Sequence, residues 1–177
     1  VNGATAVANG SNITLTFTEA IRLVDDTALS DTNVDALITL KATNSAGADI
    51  AFDATIDTDK KVITINPNSD FSTEQVVYVA IGTTVEDASD NAISAANATF
   101  TAADTAAPTI TFSPADSATA VANGSNITLT FNEAIRLVND TALSDTNVDA
   151  LITLKVDDNS GADIAFDATI DTDKKVI

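Results

Sequence analysis

The residues of this sequence that could do chemistry are almost all carboxylates. Asp and Glu number 26 against 8 Lys and Arg, and 22 of the 26 acids are Asp because Glu occurs only four times. The short carboxylate of Asp is frequent in turns and binds hard cations from loops. The sequence has no Cys and no His, which excludes nucleophiles and zinc sites built on those side chains. Calcium binding by loop carboxylates is therefore the chemistry that these residues support best.

Candidate calcium ligands are expected in the loops at the ends of strands. The segment EDASDN, residues 86–91, concentrates five oxygen-bearing side chains, which is compatible either with a calcium loop or with a solvated turn. Glu19 follows a predicted strand, and Asp104 and Glu133 flank the crossing between two repeats. No segment matches the EF-hand or nonapeptide calcium patterns. The candidate ligands are Glu19, Glu86, Asp87, Asp90, Asn91, Asp104 and Glu133.

The strands and loops that would position these residues occur twice, because a long segment of the sequence is repeated. ATAVANGSNITLTF occupies residues 4–17 and returns unchanged at 118–131, a shift of 118 − 4 = 114 residues. At this shift, residues 4–63 align without a gap with 118–177, and 53 of the 60 positions are identical. A period of about 100 residues corresponds to a whole domain rather than to a solenoid repeat. The differences are Thr18/Asn132, Asp25/Asn139, Ala42/Val156, Thr43/Asp157, Asn44/Asp158, Ser45/Asn159 and Ala46/Ser160.

The boundary between the two copies lies in TAADTAAPTITFSPADS, residues 101–117, where Pro108 and small residues separate two strand-like runs. We predict a first domain at residues 1–104 that lacks its opening strand, a linker at 105–107, and the N-terminal part of a second domain at 108–177. Near-identical duplicates are typical of long arrays, so further copies of the repeat are expected on both sides.

Alternating or β-branched runs predict an all-β fold with about seven strands per domain and one short helix. In NITLTF, Ile13, Leu15 and Phe17 are predicted to face inward. The helix is predicted in SDTNVDAL, which starts at Ser30. Seven strands separated by turns predict tandem Greek-key β-sandwiches. The predicted strands are 109–113, 12–17, 37–41, 48–56, 61–66, 76–81 and 98–102.

Three longer segments resemble the bacterial immunoglobulin-like (Ig-like) repeats of S-layer proteins and giant surface adhesins. They are PTITFSPADSATAVANGSNITLTFNEAI, VVYVAIGTTVEDASDNAI and ATFTAADTAAPT. The matching features are Pro-Ala-Asp at 114–116, the TFNEA strand end, the Asp87 to Asn91 spacing and the Ala-Pro linker. The resemblance implies Ig-like architecture and a cell-surface setting, and it provides no catalytic residues to transfer.

Alternate loops of an antiparallel sandwich lie at the same pole. The loops after the second, fourth and sixth strands are therefore expected to meet, provided that no extra strand lies between Glu19 and Asp35. Acids gathered there would repel one another unless a cation neutralised them, and calcium suits such loops better than magnesium. The acids assigned to this pole are Glu19, Asp25, Asp26, Asp31, Asp35, Asp57, Asp59, Glu86, Asp87 and Asp90.

Charge and composition narrow the possible functions. A net charge of −18 disfavours nucleic acid as a partner, since phosphates need cationic contacts. No apolar run has membrane-spanning length, so no membrane insertion is predicted for this segment. Absence of Cys suits an extracellular or cell-surface location. We predict a non-enzymatic structural module of a secreted bacterial surface protein, which forms a stalk or filament with further copies of itself and with identical chains in a fibre. The alternative is a calcium-dependent adhesion or glycan-binding module.

Overall fold

The fold is described from a computed structural model, which describes residues 2–177. The chain divides into two compact units, Val1–Ala106 and Ala107–Ile177, and each is described by itself. Across the described residues, helices of the length and apolarity needed to cross a bilayer are absent.

Residues 2–106, the described part of the first unit, contain nine strands and one short helical turn. The helical turn is a 3-10 helix, Asp35–Leu37, between the third and fourth strands. The strands are β1 (Ala4–Val7), β2 (Ile13–Thr16), β3 (Arg22–Leu23), β4 (Ile38–Ala42), β5 (Phe52–Ile56), β6 (Val62–Pro67), β7 (Val76–Ile81), β8 (Val85–Glu86) and β9 (Ala96–Ala102).

Two main sheets enclose the core of this unit. One has the strand order β1-β9-β7-β4 and the other β2-β6-β5, while β3 and β8 form a small separate pair. Side chains of both main sheets belong to a single buried cluster. On β6, Ile63 and Ile65 are fully buried, because successive side chains of a strand point to opposite faces and these two share the inner one. The predicted all-β Ig-like sandwich is therefore confirmed.

The structure adds three strands to those predicted. The segment Ala4–Val7, which is not among the predicted strands, pairs in parallel with β9, with Ala4 opposite Phe100 and Val7 opposite Ala102. The register shifts between these pairs and Ala6 has a φ of 54°, so the irregular strand lacks the alternation that marks a regular one. The other additions, β3 and β8, have two residues each and pair with one another. The predicted short helix is the 3-10 turn at Asp35–Leu37.

Two aspartates cover the outer edge of β5. Asp35 Oδ1 accepts a hydrogen bond of 2.7 Å from the Ala54 amide, and Asp31 Oδ1 accepts one of 2.9 Å from the Ile56 amide. Because β5 is an edge strand, these amides have no neighbouring strand to bond on that side. The carboxylates therefore accept hydrogen bonds that a neighbouring strand would otherwise accept. We call Asp31 and Asp35, with their hydrogen bonds to β5, the β5 clamp.

The second unit repeats part of this architecture. It contains β10 (Ile110–Ser113), β11 (Thr128–Phe131) and a 3-10 turn at Asp149–Leu151. A bridge between Thr130 and Val176 lies in the same position as the β2–β6 pairing of the first unit. Asp149 and Asp145 also accept hydrogen bonds from Ala168 and Ile170, at 2.7 and 2.9 Å. The clamp is therefore formed identically in both copies.

Candidate metal centre

The predicted acidic pole of the first unit contains a half-buried arginine that is paired with several acids. The pairing of β3 with β8 places Arg22 directly opposite Glu86. Arg22 Nε lies 3.2 Å from Glu86 Oε1, and Arg22 Nη2 lies 2.8 Å from Asp26 Oδ1. The same Nη2 forms an ion pair with Asp90 Oδ1. One guanidinium group therefore contacts three carboxylates, and we call these four residues the Arg22 cluster.

The three carboxylates of this cluster also satisfy the distance condition for a metal site. One oxygen from each of Asp26, Glu86 and Asp90 lies within 4.8 Å of the others. Calcium, however, takes six to eight oxygen ligands, and the guanidinium of Arg22 is bonded to all three of these groups. A divalent ion at their centre would have to displace that positive charge. The cluster therefore does not fit a resident calcium ion while Arg22 is in place.

Asp87 and Asn91 close the EDASDN loop on itself. Asp87 Oδ1 accepts hydrogen bonds from the amides of Ser89 (2.7 Å) and Asn91 (2.9 Å), and Asp87 Oδ2 accepts one of 2.8 Å from Asn91 Nδ2. These hydrogen bonds, first that from the Asn91 side chain, hold the pKa of Asp87 below its ordinary value. This geometry is that of an Asx turn, which matches the alternative of a solvated turn considered for this segment.

Glu19 lies beside this loop and outside the Arg22 cluster. It lines a surface groove of about 250 Å³ together with Asp87 and Asn91, and Phe17 and Ile21 form part of the apolar wall. Three predicted ligands are thus brought to one groove, while Glu86 and Asp90 belong to the cluster around Arg22. The structure therefore divides the five candidates of this pole between two places.

The two candidates at the crossing between repeats belong to different units. Asp104 Oδ1 in the first unit accepts hydrogen bonds from Thr73 Oγ1 (2.7 Å) and the Ala106 amide (3.0 Å). Glu133 is half-buried in the second unit, after β11. A calcium site formed by the two residues stays a prediction.

The other acids assigned to the pole mostly organise the backbone. Asp25 Oδ1 accepts a hydrogen bond from the Thr27 amide at 3.0 Å. Asp57 Oδ1 accepts hydrogen bonds from the amides of Lys61 (2.7 Å) and Val62 (3.0 Å). The assumption that no strand lies between Glu19 and Asp35 was wrong, since β3 lies there. Asp25 and Asp57 therefore accept hydrogen bonds within turns, and Asp31 and Asp35 accept them from a strand edge.

Arg22 is the residue of this site that the sequence patterns did not predict. Its partner Glu86 is 64 residues away, so the pairing depends on the β3–β8 contact that no periodicity reveals. One signal was present: each copy has a single Arg, at 22 and 136, and an acid four residues later, at 26 and 140. In the second unit Arg136 contacts Asp140 at 3.0 Å, but its side chain is 71% exposed compared with 27% for Arg22.

The hydrogen-bonded turn aspartates make stability dependent on acidic pH. Backbone hydrogen bonds from Val62 and Lys61 lower the pKa of Asp57 from its ordinary value of 3.8. A depressed folded-state pKa stabilises the fold above the unfolded-state value, and the contribution is lost as the pH falls through the folded-state pKa.

We expect the melting temperature to decrease below about pH 4, and Asp57→Asn to flatten this decrease. Asp59→Asn, which removes the same charge from the same turn, is the control. Thermal unfolding followed by circular dichroism from pH 7 to pH 2 tests this. If the melting temperature decreases equally with pH in both variants, the pH dependence does not come from Asp57.

The family comparison agrees with the sandwich architecture. A family profile of a bacterial Ig-like domain matches residues 1–102 and again 104–177. The crystal structure of the S-layer protein rSbsC is similar at 12% sequence identity and a TM-score of 0.42, covering 63% of this chain. This chain spans 14% of the length of that structure. No curated protein sequence matches the chain significantly.

Proposed function

Because the chain belongs to the family of bacterial Ig-like domains, we propose that it is a structural repeat module of a secreted bacterial surface protein. Consecutive copies form a stalk or filament that extends from the cell. The observation that carries this proposal is the duplication itself, in which 53 of 60 aligned positions are identical. An array of interchangeable domains can set the length of a protein without any change in its fold.

The positions that differ between the copies support a structural role. Five of the seven differences are consecutive, at 42–46 and 156–160, which in the first unit are the last residue of β4 and the turn that follows it. Both copies keep the glycine that ends the turn. A Cβ at Gly47 would lie 1.5 Å from the Ala42 carbonyl oxygen, and one at Gly161 would lie 1.7 Å from that of Val156. The residues that build the fold are thus retained while the turn sequence changes.

Two surface grooves of the first unit are smaller than most pockets that bind small molecules, with volumes of about 140 and 250 Å³. Pockets that bind small molecules usually measure about 300 to 1,000 Å³ and contain a few converging polar groups. The smaller groove is lined mainly by aliphatic side chains, including Leu15, Val79 and Ile81.

The second candidate function is a calcium-dependent adhesion or glycan-binding module. The close approach of Asp26, Glu86 and Asp90 favours it, and the position of Arg22 among them weakens it. Calcium titration of the protein and of an Arg22 variant, described in the Discussion, distinguishes the two functions.

The proposed function is tested on the source bacterium. We expect immunogold particles directed at the repeat to label intact cells, and electron micrographs of the isolated protein to show a thin fibre with a regular domain-sized period. A pre-immune serum on the same cells is the control. Labelling restricted to permeabilised cells, or a compact particle in the micrographs, would refute the proposal.

A further inference from the structure

We propose that the segment 104–106 is a structural part of the first unit, because Thr73 holds it there. The free chain between one copy and the next is then only two residues long, Ala107 and Pro108. The inference concerns the end of a domain, and it does not depend on the proposed surface role. It rests on hydrogen bonds among four residues that we call the linker latch: Asn9, Thr73, Asp104 and Thr105.

The first observation is a threonine that bonds to two successive residues of the segment. Thr73 Oγ1 donates a hydrogen bond of 2.7 Å to Asp104 Oδ1 and accepts one of 3.0 Å from the Thr105 amide. The same oxygen of Asp104 accepts a hydrogen bond of 3.0 Å from the Ala106 amide. Hydrogen bonds to a carboxylate are stronger than those between neutral groups. One hydroxyl and one carboxylate therefore hold three consecutive residues.

The loop that carries Thr73 is itself anchored in the core. Phe71, two residues earlier, is 3% exposed. Its ring packs edge to face against that of Phe100 on β9, with a centroid distance of 5.4 Å. The Phe71 amide also donates a hydrogen bond of 2.9 Å to the Asn9 carbonyl. Thr73 therefore connects the segment to the core of the unit.

The chain enters the latch directly from the last strand of the first unit. One residue after β9, the Ala103 amide donates a hydrogen bond of 2.7 Å to the Val7 carbonyl. Further along, Asn9 Nδ2 lies 3.5 Å from Thr105 Oγ1, which adds a contact from the loop after β1. Hydrogen bonds to the first unit therefore continue beyond the end of β9.

The chain is held again where the second unit begins. The Thr109 amide donates a hydrogen bond of 2.6 Å to Asn132 Oδ1, and β10 starts at the next residue. Ala107 and Pro108 lie between the two held segments. Proline fixes its own φ at about −65° and restricts the preceding residue to extended backbone. Few backbone torsions then remain free between one copy and the next.

The test measures the exchange of backbone amide protons in the 177-residue chain by NMR. In Thr73→Val the Thr105 amide loses its acceptor, and we expect it to exchange about tenfold faster, the effect of losing one hydrogen bond. The Ala103 amide is the internal reference, because it bonds to Val7. Thr73→Ser is the matched control, since it keeps the hydroxyl and should retain the parent rates.

The mobility of the segment is a second readout. Heteronuclear Overhauser measurements on backbone amides report motion on the picosecond to nanosecond scale. In the parent chain, we expect residues 104–106 to be as rigid as the strands of the first unit. In Thr73→Val, we expect the same residues to become more mobile while β9 does not change.

A second variant tests the latch from its other side. Asp104→Ala removes the acceptor of both the Thr73 hydroxyl and the Ala106 amide. We expect the Ala106 amide to exchange about tenfold faster, with the circular dichroism spectrum of the parent chain retained. Three results would overturn the proposal: fast exchange of the Thr105 amide in the parent chain, rates unchanged in both Thr73→Val and Asp104→Ala, or exchange in Thr73→Ser as fast as in Thr73→Val.

Discussion

Replacing Arg22 by Met is expected to destabilise the first unit by about 2 kcal/mol, the magnitude of a lost hydrogen bond to a charged group, because Arg22 is the partner of the buried Glu86 carboxylate. The variant leaves Glu86 at 7% exposure with its guanidinium partner removed, and it leaves three carboxylates within 4.8 Å of one another. Both the desolvation of Glu86 and the mutual repulsion then act against folding. Urea unfolding followed by circular dichroism measures the change.

The chain provides a matched control for this substitution. Arg136 occupies the equivalent position in the second unit but is 71% exposed and pairs with Asp140 at 3.0 Å. Exposed pairs contribute at most about 1 kcal/mol, so Arg136→Met should change stability by no more than that. Equal effects of the two substitutions would show that the Arg22 cluster adds nothing beyond a surface ion pair.

The effect of calcium on the melting temperature of the parent protein and of Arg22→Met distinguishes the two candidate functions. We expect chelator to leave the melting temperature of the parent protein unchanged, because the Arg22 guanidinium already pairs with the three carboxylates that calcium would need. Calcium should raise the melting temperature of Arg22→Met, since the substitution frees three oxygen ligands at metal-binding distances. A lower melting temperature of the parent protein in chelator would instead favour the calcium-dependent module and contradict the role assigned to Arg22.

Removal of the β5 clamp is expected to have the second large effect. Asp35→Ala leaves the amide of Ala54, a fully buried residue, without its charged acceptor, and hydrogen bonds to charged groups contribute about 1.5 to 3 kcal/mol. We expect Asp35→Ala to lower the free energy of unfolding by about 2 kcal/mol. The double variant with Asp31→Ala should lose more, because the Ile56 amide is released as well.

The conservative substitution separates the hydrogen bond from other roles of the side chain. Asp35→Asn keeps an acceptor oxygen and should lose less than half as much stability as Asp35→Ala. The variant with both clamp residues replaced by Ala should also aggregate faster when heated, since it exposes unpaired amides on an edge strand. Light scattering during thermal unfolding measures this. Alanine variants as stable and soluble as the parent chain would show that the clamp is dispensable.

The sequence patterns predicted the elements that are specified by residues close together in the chain. The strand Val76–Ile81 has the predicted bounds, and β6 differs from its prediction, 61–66, by one residue at each end. Alternation of apolar and polar residues reveals such strands because their inner face is buried. The domain-sized period was equally visible, since it requires only that the chain be compared with itself.

The remaining features depend on contacts between distant residues. β1 is defined by its pairing with β9, and β3 by its pairing with β8. The clamp hydrogen bonds join residues 19 and 25 positions apart, and each aspartate alone is indistinguishable from a solvated one. The candidate metal site stays a prediction. The number of acids in the sequence indicated a need for positive charge, but only the fold shows that Arg22 supplies part of it.

The β5 clamp also bears on how closely packed copies of this protein can avoid aggregation. The carboxylates of Asp31 and Asp35 occupy two β5 amides that a strand of another molecule could otherwise bond. The second unit has the same two hydrogen bonds, so each copy of the repeat carries its own protection against edge-to-edge pairing. A net charge of −18 adds electrostatic repulsion between neighbouring molecules.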